Sequence, residues 1–163
     1  MSYETGANVS QALLQQWLMI IGGVFVLLGG AVAAVTSPLG IEKGSWLAAY
    51  LVLVAGVPVY LVGQFIAHWL AGRGGWALLI GWNLGNAAVI VGSLLSLPLL
   101  VDVGGIVLLI PLAYLLWIAL QWKGAADGTA SSAAGIGRWL LIAALIIMIF
   151  SIPVGLVLAH VRA

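Results

Sequence analysis

Cysteine is absent from this chain of 163 residues, and charged side chains make up only 6% of it. The lack of cysteine excludes disulfides, thiol catalysis, iron–sulfur clusters and cysteine-ligated zinc. Five basic and four acidic residues give a net charge of +1, so no basic surface is available for a nucleic acid. Soluble domains carry roughly 25% charged residues. So little charge therefore excludes a water-soluble fold.

The chain has long apolar runs instead, and 64% of its residues are hydrophobic. A helix of about 20 residues crosses a bilayer core about 30 Å thick, and backbone amides in lipid must pair within their own segment. The sequence therefore predicts an all-α, polytopic membrane protein with one transmembrane domain (1–163), five helices and short loops. The predicted spans cover residues 12–35, 45–70, 76–97, 105–122 and 138–160, and a flexible loop covers 123–137.

The longest apolar run, residues 76–122, is too long for one crossing. As a single helix it would measure roughly 70 Å, and its one charged residue is Asp102. We place a hairpin at Pro98 and the segment 102–105. Asp102 then caps the N-terminus of span four, and a proton or cation carrier is the alternative role. Glu42 and Lys43 are interpreted as a solvated pair in the first loop.

Tryptophans and basic residues indicate the orientation. With five crossings, most tryptophans fall on the side of the N-terminus (Trp17, Trp69, Trp76, Trp122 and Trp139), whereas Trp46 lies on the other side. Indoles prefer the membrane interface. Three basic residues against two favour a cytoplasmic N-terminus and a C-terminus on the opposite side of the cell membrane.

Span three carries a stripe of small residues on one face: Gly81, Gly85, Ala88, Gly92 and Ser96. The first two form a GxxxG element. Small residues allow helix backbones to approach closely, which favours association in lipid. Polar residues on the other side of the same helix are also unsuited to lipid. The pattern predicts that span three is the central helix of the bundle.

Five polar side chains are predicted to form a seam between spans two and three. Tyr60, Gln64 and His68 are spaced by four residues on span two, and Asn83 and Asn86 lie at matching depths on span three. One interpretation is that these side chains bond to one another and fix the helix register. The alternative is a binding site for a small polar ligand, a quinone head group or a proton.

Catalytic and metal-binding motifs are missing from the sequence. It contains no HExxH, no paired carboxylates and no phosphate-binding glycine loop with a lysine. The two histidines, His68 and His160, fall at opposite faces of the membrane, which excludes a bis-histidine haem. We therefore expect no enzymatic activity, no cofactor and no metal.

The stretch Trp82-Asn83-Leu84-Gly85, with the glycine-spaced apolar helix that follows it, resembles helices of haem–copper oxidase subunit I and its relatives. This resemblance covers one helix of five and implies a respiratory-complex setting. The histidines that ligate haem and copper in that family have no counterpart here. The length and the five crossings are also similar to those of tryptophan-rich sensory proteins, but their Trp/Pro-rich signature is missing.

These observations lead to two hypotheses about function. The first is that the chain is a non-catalytic multi-pass membrane protein. It would be either a small accessory subunit of a larger membrane complex, such as a respiratory complex, or a homo-oligomer. Its partners would be the lipid bilayer and other transmembrane subunits or copies of itself. The alternative is a small oligomeric transporter or a ligand-binding bundle that uses the seam between spans two and three.

Overall fold

The computed structural model describes residues 2–70, 72–121 and 132–161, and these residues are almost entirely helical. Five helices are long and apolar enough to cross a membrane. The prediction of an all-helical bundle with five transmembrane spans is confirmed.

The first span is α1 (Ser2–Thr36), and the second consists of α2 (Gly44–Tyr50), a π segment (Leu51–Gly56) and α3 (Val57–Phe65). A short 3-10 turn (Ala67–Trp69) follows the second span. The remaining spans are α4 (Gly72–Leu94), α5 (Pro98–Gln121) and α6 (Ser132–Val161). Successive spans alternate in direction across the bundle. We call the end of the bundle where α1 begins the near end, and the end where the loop joins α1 to α2 the far end.

The π segment interrupts the second span just before a proline. The N–H of Val57 donates to the carbonyl of Val52, five residues back. Pro58 follows directly and has no N–H to offer the carbonyl of Val54. Because that α-helical hydrogen bond is impossible, the wider turn before Val57 carries little additional cost.

Glycines bring α1 against the second span. A Cβ added at Gly22 would lie 2.6 Å from the backbone N of Tyr60 and 2.8 Å from the carbonyl O of Gly56. The neighbouring Gly23 faces open space. The backbones of the two spans therefore touch directly at Gly22, and that contact fixes how both helices are rotated.

The helices α4 and α5 also meet through glycines. A Cβ at Gly85 would lie 3.1 Å from the carbonyl O of Gly104, and one at Gly92 would lie 2.8 Å from the backbone N of Val101. Ala88 is half-buried. A Cβ at Gly81 would meet nothing. The GxxxG element is therefore not a contacting pair, because only its second glycine faces α5.

The hairpin between spans three and four differs from the prediction. Helix α5 begins at Pro98, whose fixed φ suits the first helical position. The chain turns at Ser96, which has a φ of +55°, and the N–H of Leu97 donates to the carbonyl of Gly92 at 2.8 Å. Asp102 lies inside α5 and is not an N-cap. Ser96 is a turn residue and not part of a helix-packing stripe.

The last loop is shorter than predicted. Residues 132–137, placed in the flexible loop, belong to α6. Trp122 and residues 123–131 lie outside the described part of the chain.

The core is shared among several helices. Helix α4 packs along α5 and touches α1 and the π segment. We compare the fraction of the most apolar stretch of each span that is buried inside the bundle. This fraction is 44% for spans two and four, 39% for span three and 17% for span one. Span three is therefore central, as predicted, but spans two and four are at least as deeply buried as it is.

Candidate functional site

The structure does not bring the five predicted seam residues together. Helix α3, which carries Tyr60 and Gln64, packs mainly against α1 and α6, whereas α4 meets the second span at the π segment. Tyr60, Gln64 and His68 are exposed on the surface of the bundle. Their spacing predicted a shared face correctly, but that face is turned away from α4.

The two asparagines bond to their own helix. The Nδ2 of Asn83 donates to the carbonyl of Leu79, and the Nδ2 of Asn86 donates to the carbonyl of Trp82, both at 2.8 Å. Asn86 is fully buried, and neither its Oδ1 nor the Nε1 of Trp82 has a partner among the described residues. These bonds stabilise α4 locally and do not link it to span two.

His68 lies in the 3-10 turn that follows the second span. Partial burial lowers the pKa of its imidazole, which favours the neutral form at pH 7. Its ring lies 5.5 Å from that of Trp69, centroid to centroid. In the described ranges no three potential metal-ligating side chains lie close together.

A cavity of about 540 Å³ occupies the far end of the bundle instead. Its apolar lining comes from the second span and from α4, α5 and α6: Val54, Val89, Val101, Leu108, Met148 and Ile152. Val54 and Leu108 each lie ten residues inside the far end of their spans, a rise of about 15 Å. The cavity therefore extends from the far end to about the middle of a bilayer.

The mouth of the cavity is polar. The polar and aromatic side chains that line it near the far end are Glu42, Lys43, Trp46, Tyr50, Ser93 and Ser96, whereas Ser151 lies deeper, ten residues before the end of α6. Glu42 and Lys43 belong to the first loop, outside the candidate spans. The cavity thus has a hydrogen-bonding end at the membrane surface and a mostly apolar end at depth, where the one hydroxyl, that of Ser151, is bonded to its own helix.

Lys43 joins the first loop to the end of α4. Its Nζ donates to the carbonyl of Ser93 at 2.6 Å and to the Oγ of Ser96 at 3.1 Å. The Ser93 carbonyl belongs to the last turn of α4, where carbonyls lack partners within the helix, and a lysine is a favourable partner there. Glu42 and Lys43 are both exposed in the first loop, as predicted, and Lys43 is in addition bonded to the end of α4.

One wall of the cavity departs from regular α-helix, and another contains a proline inside its helix. The π segment contributes Val54, and π turns are frequent at functional sites. On the opposite wall, Pro153 follows the lining residues Ser151 and Ile152. The Oγ of Ser151 donates to the carbonyl of Met148 at 3.1 Å.

Comparison with protein-family models, curated proteins and solved structures finds no match. The cavity is therefore interpreted from its own residues. Its volume is within the range of about 300–1,000 Å³ typical of small-molecule sites, and its mostly apolar lining with a few polar groups is typical as well. The arrangement is suited to a molecule with one polar end and one apolar end.

One sequence signal for this site is available in retrospect. Trp46, Tyr50 and Val54 are spaced by four residues, which is the spacing of the polar row from Tyr60 to His68. The first set lies in the first half of span two, and the polar row begins in the second half. The rings of Trp46 and Tyr50 are 5.2 Å apart. Aromatic side chains at this depth are equally typical of a lipid-facing interface, so the spacing alone does not identify a cavity.

Proposed function

We propose that this chain is a non-catalytic, multi-pass membrane protein that binds a small amphipathic molecule in the far-end cavity. The observation that supports the proposal is the polarity gradient of that cavity, from Glu42 and Lys43 at the mouth to Val54 and Leu108 at depth. An amphiphile in a bilayer has the same gradient, with its head at the interface and its tail in the hydrocarbon core.

Val54→Phe is expected to abolish ligand binding and leave the fold intact. Val54 is half-buried and lines the cavity in the π segment, so a phenyl ring would occupy the volume that the tail needs. The measurement is the amount of lipid that remains on the detergent-purified protein, determined by native mass spectrometry.

The matched control is Leu53→Phe, one residue earlier, where the side chain is 63% exposed on the outside of the bundle. It should retain the bound molecule at wild-type occupancy. Equal occupancy in both variants, with unchanged thermal unfolding, would contradict the proposal.

A second candidate function, a subunit that packs against other helices, is supported by α1. Only 17% of its most apolar stretch is buried, Leu27 is 75% exposed, and Gly23 and Gly30 face open space. Such a surface would admit another subunit or a second copy. Mild-detergent extraction tests this candidate, because a subunit should leave the membrane with stoichiometric partners and a homo-oligomer as a particle of a defined multiple of the chain mass.

We also propose that the N-terminus is cytoplasmic, on the basis of the distribution of basic residues. The cavity mouth would then face the opposite compartment. Because the chain contains no cysteine, a single cysteine introduced at exposed Ser37, in the first loop, can be labelled from one side of intact cells to test the orientation.

A further inference from the structure

The cavity mouth holds one positive and one negative charge that do not neutralise each other. Glu42 and Lys43 both line the mouth. In the described part of the chain, Lys43 bonds to two neutral oxygens, and Glu42 forms no ion pair with it. Adjacent opposite charges that stay apart leave two separate sites for the charges of a ligand.

The lysine site is held in place by the protein. An ammonium group has three donors, and two of them are used on Ser93 and Ser96. The third remains for a ligand. The Ser96 hydroxyl accepts from Lys43 and keeps its own proton to donate. An anionic group at this position would therefore meet one N–H and one O–H donor.

The other charge of the mouth opposes a simple anion. A ligand with only a negative head would lie beside the Glu42 carboxylate, and one with only a positive head would lie beside the Lys43 ammonium. The aromatic rings of Trp46 and Tyr50 line the same mouth, and indole and phenol faces attract ammonium groups. A head that carries both charges satisfies all of these groups.

We propose that the ligand is a zwitterionic amphiphile, with its phosphate or carboxylate at Lys43 and Ser96 and its ammonium at Glu42. This inference rests on the proposed function, because it specifies the ligand of the same cavity.

The test compares two lipids with identical chains. Phosphatidylethanolamine and phosphatidylglycerol share the phosphate, and only the first has an ammonium group. Their relative affinities are measured by native mass spectrometry of the full chain in detergent, with each lipid added at known concentration. The wild type should prefer phosphatidylethanolamine by about fivefold, the upper range for a partly hydrated ion pair.

Glu42→Gln should reduce that preference to about one, mainly through weaker binding of phosphatidylethanolamine. Glu42→Asp, which keeps the charge, should restore most of it. Because Glu42 has no ion-pair partner among the described residues, neither change removes a contact that holds the fold. Lys43→Gln should weaken the binding of both lipids.

The possible failures are distinguishable. Equal binding or preferential binding of phosphatidylglycerol by the wild type, still abolished by Val54→Phe, would overturn the zwitterion and leave the proposed function standing. If neither lipid bound, or if binding were insensitive to Val54→Phe, both proposals would fall. A phosphatidylethanolamine preference that survives Glu42→Gln would also overturn the zwitterion assignment.

Discussion

Gly22→Ala is expected to lower the free energy of unfolding by about 1–3 kcal/mol, the usual range for an overpacked core. The new methyl would lie 2.6 Å from the backbone N of Tyr60 and 2.8 Å from the carbonyl O of Gly56. Backbone atoms cannot move aside as the end of a side chain can, so α1 and the second span would have to separate. Thermal or denaturant unfolding in a mild detergent measures the loss.

The adjacent residue supplies the control for this prediction. Gly23 is in the same helix, and a Cβ there would meet nothing. Gly23→Ala should therefore be neutral or slightly stabilising, since alanine is the better helix former. A loss of similar size in both variants would show that the helix backbone, and not the contact with span two, responds to the substitution.

Arg138→Met is expected to lower the free energy of unfolding by about 2 kcal/mol, within the range for hydrogen bonds to a charged group. The guanidinium of this residue in α6 donates from Nε to the carbonyl of Ala119 at 3.2 Å and from Nη2 to that of Leu120 at 3.1 Å. Both carbonyls belong to the last turn of α5, which has no further helical N–H groups to bond them.

Arg138→Lys distinguishes the hydrogen-bond geometry from the charge. A lysine keeps the favourable charge at the helix terminus, but its single nitrogen cannot reproduce the two-pronged contact. We expect a loss of about half that of Arg138→Met. If methionine and lysine were equally tolerated, the contact between α5 and α6 at this point would make no contribution to stability.

The number of spans was predictable because membrane thickness imposes it. A run of 47 residues cannot cross once, so a hairpin near Pro98 was required. Its position was missed by a few residues because Asp102 and the two following glycines have the composition of a turn. The helix begins earlier because Pro98 suits its first position, and Ser96 adopts the left-handed conformation that the turn needs.

The binding site was less predictable, because periodicity gives the face of a helix but not the neighbour that the face meets. Tyr60 and Gln64 do share a face. The rotation of span two, however, is set by the backbone contact between Gly22 and Gly56, and that contact turns the polar face outward. The cavity needs residues from four spans at once, and no pattern within one helix encodes such a set.

The occupant of the cavity can be located directly with a photoreactive amphiphile. The probe carries a diazirine on its tail, is crosslinked to the protein in detergent, and is mapped by mass spectrometry of the digested chain, with and without excess unlabelled lipid. The account predicts that the adducts lost on competition lie on deep cavity residues, foremost Val89, Leu108 and Met148. Competed adducts confined to the outer face at Tyr60 and Gln64, with none in the cavity, would contradict it.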